Sequence, residues 1–241
     1  MKTDRNHSRT RSSAIERNPW RWLTDLFLLL IAFLRITRLS LINIGENIYK
    51  IAITGGPCSG KSDSMKALKL TLEELGYIVL TVPESATILI NRGIKPENIG
   101  WVEFQAKVLD LSFRNERRAT MKAILLRNLG YKVVILCDRG LLDGEAYVDS
   151  LGKWADMLRR RGLDNHVLGN QSHHLVIHLV TTADGAEDVF ERQRKNNDAR
   201  RESTVEHAIK VDRDTERANR SHHHRRRVPN RNGGMNEKIA D

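Results

Sequence analysis

Only two cysteines, Cys58 and Cys137, occur in the 241 residues of this chain, too few for a disulfide framework. Both fall at the carboxyl ends of expected strands and read as small buried thiols of a reducing compartment, with a redox-sensitive pair as the alternative. No apolar run is long enough to cross a membrane. The longest in the N-terminal region, Leu26–Leu34, holds nine residues, whereas a spanning helix needs about 20. Internal repeats are lacking, and no low-complexity stretch occurs beyond the tails. No nucleic-acid recognition module is present, so nucleic acid is not an expected partner. His222-His223-His224 is flanked by Arg225, Arg226 and Arg227, with no carboxylate or cysteine at ligand spacing. Neighbouring cations oppose metal binding, which excludes a structural metal site there.

A near balance of charge is the next informative scarcity. The formal net charge is +10, yet residues 48–216 hold 25 Lys and Arg against 24 Asp and Glu. The excess sits in residues 1–21 and 217–241, with six against two and seven against two. Charge runs at termini are usually solvated ends, so the basic pI belongs to the tails. Organisation follows the same division: a basic extension with a short apolar segment over 1–47, a domain over 48–232 and a tail over 233–241.

Within the extension, Trp22–Leu34 is apolar with Asp25 as its one charge, and Arg35 and Arg38 close it. Three readings stand. Residues 20–38 lie on a membrane surface with Trp20 and Trp22 at the interface. They form an uncleaved anchor or organelle-targeting segment. Or they pack as a helix on the domain. The expected location is cytoplasmic, with membrane association or targeting through this segment.

What the chain does have is Gly55-Gly56-Pro57-Cys58-Ser59-Gly60-Lys61-Ser62. Every fixed position of the phosphate-loop pattern G-x-x-x-x-G-K-[ST] is satisfied. Ile48–Thr54 before it reads as a strand, and Met65, Leu68, Leu72 and Leu75 after it recur at helical spacing. Glycines let backbone amides turn inward around an anion, and the helix N-terminus adds positive potential. Lys61 is expected to reach the outer phosphates and Ser62 to hold Mg²⁺, so Gly55–Asp63 is the expected nucleotide-binding segment.

Downstream, Tyr77–Val82, Lys132–Cys137 and Leu175–Val180 read as strands, separated by helical stretches such as Trp101–Leu129. Gly76 and Gly130 stop the helices. Alternation of this kind predicts a three-layer α/β/α P-loop NTPase fold with a mainly parallel sheet, whose ligands bind at the carboxyl ends of the strands.

Several side chains fall on that edge. Asp138 ends an apolar strand, where a carboxylate holds Mg²⁺ directly or through water, or simply caps a turn. Arg139 contacts phosphate or pairs with a local acid, and Asp143 is placed to cap the next helix. Glu84, after the second strand, is a general base facing an acceptor hydroxyl or a helix-start acid over Glu84–Asn91. Gln105 reads a substrate group or lies at the surface. The arginines of Glu191–Arg201 form a lid over phosphates, with Arg200 taken as the catalytic one among Arg194, Arg200 and Arg201, or a solvated helix with pairs such as Glu191 to Lys195.

Taken in order, Ile53–Ser62, Val82-Pro83-Glu84-Ser85-Ala86-Thr87, Phe104-Gln105, Cys137–Gly144 and Ile177–Glu187 resemble the AAA-type P-loop domain shared by the TRPL-translocation-defect proteins and the bacterial nicotinamide riboside kinases. The resemblance covers about 48–232. It implies ATP or GTP binding with Mg²⁺ and, for the first branch, GTP binding, contact with anionic lipid and a role in membrane-protein traffic. The Asp-Arg-Gly and Thr-Ala-Asp-Gly motifs are more similar to that branch. Two departures stand out. Asp63 replaces the Ser or Thr that follows the Lys-Ser pair, where a carboxylate faces and repels phosphates. Over Asn219–Pro229, three arginines stand in place of an apolar final strand. The lipid-facing C-terminal domain of longer members has no counterpart before Asp241.

Two functions are therefore expected from the sequence. The first is a Mg²⁺-dependent ATP- or GTP-binding protein acting as a slow hydrolase or switch in membrane-protein traffic, with lipid contact. The alternative is a small-molecule, nucleoside-like kinase that transfers the γ-phosphoryl group, with Lys61, Glu84, Asp138, Arg139 and Arg200 catalytic and Glu84 and Gln105 on the acceptor.

Overall fold

The computed structural model describes residues 48–195, 204–221 and 224–229. The segment 20–38, Arg200, Arg201, His222, His223 and the tail from 233 lie outside the described residues.

Five strands form one sheet: β1 Ile48–Gly55, β2 Ile78–Val82, β3 Val133–Asp138, β4 Leu175–Leu179 and β5 Arg225–Val228. Their order is β2-β3-β1-β4-β5, and every neighbouring pair is parallel. Helix α1 (Lys61–Glu74) joins β1 to β2. The β2–β3 connection carries α2 (Ser85–Asn91), the short α3 (Pro96–Ile99) and the long α4 (Trp101–Asn128). Then come α5 (Leu151–Arg159) and α6 (Asn165–Gln171) before β4, and α7 (Glu187–Lys195) and α8 (Val205–Ala218) after it.

Side-chain alternation along the central strands builds the three layers. Ile51 and Ile53 of β1 and Val134 and Leu136 of β3 pack with Leu68 and Leu72 of α1. The intervening Ile48, Ala52, Val133, Ile135 and Cys137 pack on the other face, with Ala123 of α4. Both faces are covered, so β3 reads VVILCD, a continuous apolar run with one terminal acid, as a doubly buried parallel strand should. Gly76 and Gly130 adopt φ of 83° and 92° just past α1 and α4, the left-handed turn that ends a helix.

The final strand differs from the sequence expectation. Arg225, Arg226 and Arg227 do form a strand, in register with Val176, Ile177 and His178. It lies at the sheet edge, where cationic heads remain in water and discourage pairing with another chain. Arg225 and Arg227 also reach Glu216 of α8, at 3.8 and 3.4 Å.

Candidate functional site

The parallel sheet brings the carboxyl ends of β1, β3 and β4 side by side, with Ile53 opposite Asp138 and Gly55 opposite Leu179. The loop Gly55–Gly60 leaves β1 there and enters α1 through Gly60, at φ 77°. Gly55 has no alternative: a Cβ on it would lie 2.0 Å from the Leu179 carbonyl oxygen. Lys61 folds back over the loop, donating from Nζ to the Gly55 and Gly56 carbonyls at 3.1 and 2.5 Å and to Ser59 Oγ at 3.0 Å. Burial lowers its pKa to about 8, with Arg139 adding to the fall and Glu84, Asp138 and Asp143 opposing it. Ser62 is exposed at the first turn of α1. Asp63 is exposed too and lies 3.9 Å from Lys66.

Asp138 closes β3, half-buried, and its pKa is raised by burial and then by Glu84. A serine hydroxyl and a carboxylate are hard oxygen donors suited to Mg²⁺, so Ser62 and Asp138 fit the ion the motif implies. Arg139 sits at φ 91°, a conformation costly for a side chain of this size. Its peptide N–H donates to Ile53 O at 3.0 Å. Its guanidinium donates to the Gly55 carbonyl at 2.7 Å and to Glu84 Oε1 at 3.2 Å, and lies 3.7 Å from Asp143 Oδ2. The strained turn thus aims one cation at the ends of both β1 and β2.

Glu84 occupies the N-cap position of α2 but makes no capping bond with its side chain. Its Oε2 accepts from Thr87 Oγ1 at 2.5 Å instead. Beyond it opens a cleft lined by Glu84, Trp101, Phe104, Gln105, Arg139 and Tyr147 among others. Trp101 and Tyr147 stack nearly parallel, ring centroids 6.0 Å apart at 16°, and Phe104 stands edge-on to Trp101. Gln105 is 4 % exposed and lines this cleft rather than the surface.

Other expectations take a different form. Asp143 does not cap a helix. Its Oδ2 accepts from Thr54 Oγ1 at 2.5 Å and its Oδ1 from Asn219 Nδ2 at 2.8 Å. Glu191 pairs with Arg194, three residues on, at 2.7 Å; the side chain of Lys195, its expected partner, lies outside the described residues.

Sequence reasoning missed the outer wall of the phosphate loop. Asp212 of α8 accepts from the Gly56 and Thr181 amides at 2.7 and 3.2 Å. Thr181 and Thr182 hydroxyls donate to the Pro57 and Cys58 carbonyls, at 2.5 and 2.8 Å. One signal was available: Asp212 falls on the buried stripe of α8 with Ala208, Val211, Thr215 and Ala218, and an acid on an apolar stripe needs a partner.

A second buried cluster lies under α4. Glu116, Cys137 and His173 present ligand atoms within 4.8 Å of one another. Lys50 Nζ already lies 3.0 Å from Glu116 Oε2, and His173 Nε2 lies 3.4 Å from Oε1. Burial pushes the Cys137 thiol well up, with Glu116 adding to it, which keeps it a poor metal ligand. The group reads as an ion-pair network fastening α4 to the sheet.

Among known proteins, no curated sequence matches the chain. Among solved structures it is similar to deoxyadenosine kinase from M. mycoides with bound dATP, at 18 % identity and a TM-score of 0.42, over 70 % of this chain and 82 % of that one. A family model described as an AAA domain matches residues 50–238. With its phosphate loop between β1 and α1 of a parallel sheet, the chain belongs to that AAA domain family and is a P-loop nucleotide-binding protein.

Proposed function

We propose that this protein transfers the γ-phosphoryl group of a Mg²⁺-bound nucleoside triphosphate to the hydroxyl of a small, nucleoside-like acceptor. The observation that carries the reading is the aromatic cleft beside the phosphate loop. Its stacked Trp101 and Tyr147 suit a planar ring, and the buried Gln105 amide supplies both a donor and an acceptor for that ring's edge. Glu84, at the inner end, is bonded to Arg139, whose other arm holds the phosphate-loop carbonyl of Gly55. A hydroxyl placed there attacks the γ-phosphorus as the bond to the β–γ bridging oxygen breaks. Its proton passes to the Glu84 carboxylate, and the nucleoside diphosphate leaves. Lys61 and Arg139 oppose the charge on the phosphoryl oxygens, and Ser62 and Asp138 would hold Mg²⁺, which would neutralise charge on the triphosphate.

A switch that binds nucleotide in membrane-protein traffic uses the same loop but has no need of the cleft. The lipid contact it implies rests on residues 20–38 and the basic ends, of which only 217–221 and 224–229 are among the described residues. No helix among the described residues is long and apolar enough to cross a membrane.

Nucleoside-dependent release of ADP or GDP from the full chain, assayed over purine, pyrimidine and pyridine nucleosides, separates the two. The expected result is turnover with at least one acceptor, reduced on the order of 10²- to 10⁴-fold in Glu84→Gln with nucleotide affinity retained. Tight nucleotide binding with no acceptor-dependent turnover from any of them would sink the kinase reading and leave the switch.

A further inference from the structure

We infer that Asp212 is a positioning residue for the phosphate loop, setting from behind the curvature in which its amides receive phosphate. The inference rests on the loop binding nucleotide and on nothing about the acceptor.

Asp212 is 3 % exposed, and three groups converge on its Oδ1. The Gly56 amide lies at 2.7 Å, the Thr181 amide at 3.2 Å and His178 Nε2 at 3.3 Å. The approach is close enough to dictate sequence. A Cβ on Gly56 would fall 2.7 Å from both Cβ and Oδ1 of Asp212. The phosphate-loop pattern leaves that second position open to any residue, so it is Asp212 that requires glycine here. The next two residues are pinned from the same side by Thr181 and Thr182, through the Pro57 and Cys58 carbonyls. Cys58 stands at φ 54°, which a non-glycine residue adopts at a cost and keeps only when its surroundings fix it. Three consecutive loop residues are thus held from outside. With that wall removed, the loop is free to relax from the strained conformation, and ordering it again would weaken nucleotide binding.

Two turns further along α8, Asn219 binds Asp143 on the other side of the site at 2.8 Å. It supplies a control at the end of the same helix that leaves the loop contacts intact.

The test titrates the full chain with Mg-ATP and Mg-GTP, as wild type and as Asp212→Ala, Asp212→Asn and Asn219→Ala, with Tm recorded for each. Asp212→Ala is expected to weaken binding of the preferred nucleotide on the order of tenfold or more, since it strands two buried amides. Asp212→Asn keeps an acceptor oxygen and should stay within about threefold of wild type, and Asn219→Ala within about twofold despite a lower Tm. Wild-type affinity in Asp212→Ala overturns the inference, and so do losses in all three variants that simply track Tm. If wild type binds neither nucleotide, the nucleotide reading fails and takes this inference with it. Should Asp212→Ala not fold, amide exchange in the nucleotide-free wild type decides: slow exchange at Gly56 supports the clamp, and exchange at open-loop rates overturns it.

Discussion

Between Gly55 and Ser62 the protein offers main-chain amides, curved by glycines and one lysine folded across them. Across Arg139, the cleft offers side chains drawn from three separate segments: Glu84 at the end of β2, Trp101, Phe104 and Gln105 on α4, and Tyr147 beyond β3. A surface made of amides recognises a triphosphate by charge and curvature, which any nucleotide shares. One made of aromatic rings and an amide selects by shape and hydrogen bonding, so it discriminates between small-molecule ligands. The first can be built by eight consecutive residues. The second exists only once the sheet and α4 have brought distant residues together.

The largest expected effect breaks one side and spares the other. Lys61→Ala should weaken nucleotide binding on the order of a hundredfold or more, because an ammonium facing phosphate oxygens is a charge-assisted contact in a partly dry site. Fluorescence of the Trp101–Tyr147 wall should be unchanged, since Lys61 is not among the residues lining the cleft. Normal affinity in a calorimetric titration would mean that the loop is not the nucleotide site. A lost fluorescence signature would mean that the two sides are not separable.

The same contrast explains what could be read beforehand. Strand β1, the loop and α1 were legible because motif, apolar strand and helical spacing are all local. Asp138 was legible as the polar end of a buried strand. The depth of Gln105 was not, because burial on α4 depends on where the β2–β3 connection folds. Asp143 was assigned a local capping role, whereas Thr54 and Asn219 claim its two oxygens from 89 and 76 residues away. Asp212 lies 156 residues from the Gly56 amide that it holds, and nothing in the loop motif points to it. For β5, an apolar pattern was the wrong requirement. An edge strand bonded on one side tolerates arginines that a central strand would not.

A smaller effect sharpens the phosphate side. Burial lowers the Lys61 pKa to about 8 from an ordinary 10.5. The folded, nucleotide-free protein therefore holds fewer protons than the unfolded chain between those values, and stability rises with pH across that window. Below about pH 8 the buried charge is unfavourable. Triphosphate reverses this by favouring the ammonium, so binding above pH 8 must take up a proton. Affinity should fall by about tenfold between roughly pH 7 and 9, with proton uptake visible as a dependence of binding heat on the buffer's ionisation enthalpy. A flat profile would mean that Lys61 keeps an ordinary lysine pKa in the free protein.

The smallest effect concerns Asp63, whose carboxylate departs from the residue type the family resemblance implies. From the sequence it faces the phosphates and opposes them. In the structure its side chain is 70 % exposed and lies 3.9 Å from Lys66, so water and a counter-charge screen it from the loop. As an acid in the first turn of α1 it also favours the helix dipole, a contribution of about 0.3–1 kcal/mol at such exposed positions. Asp63→Thr should therefore tighten Mg-nucleotide binding by no more than about threefold, with a gain that shrinks as salt is raised, and should lower Tm slightly. Calorimetry at low and high ionic strength measures both parts. A tenfold, salt-insensitive gain would place the carboxylate at the loop mouth, next to bound phosphate. The phosphate side would then owe its affinity to a side chain as well as to its amides, and the distinction between the two sides of the site would narrow.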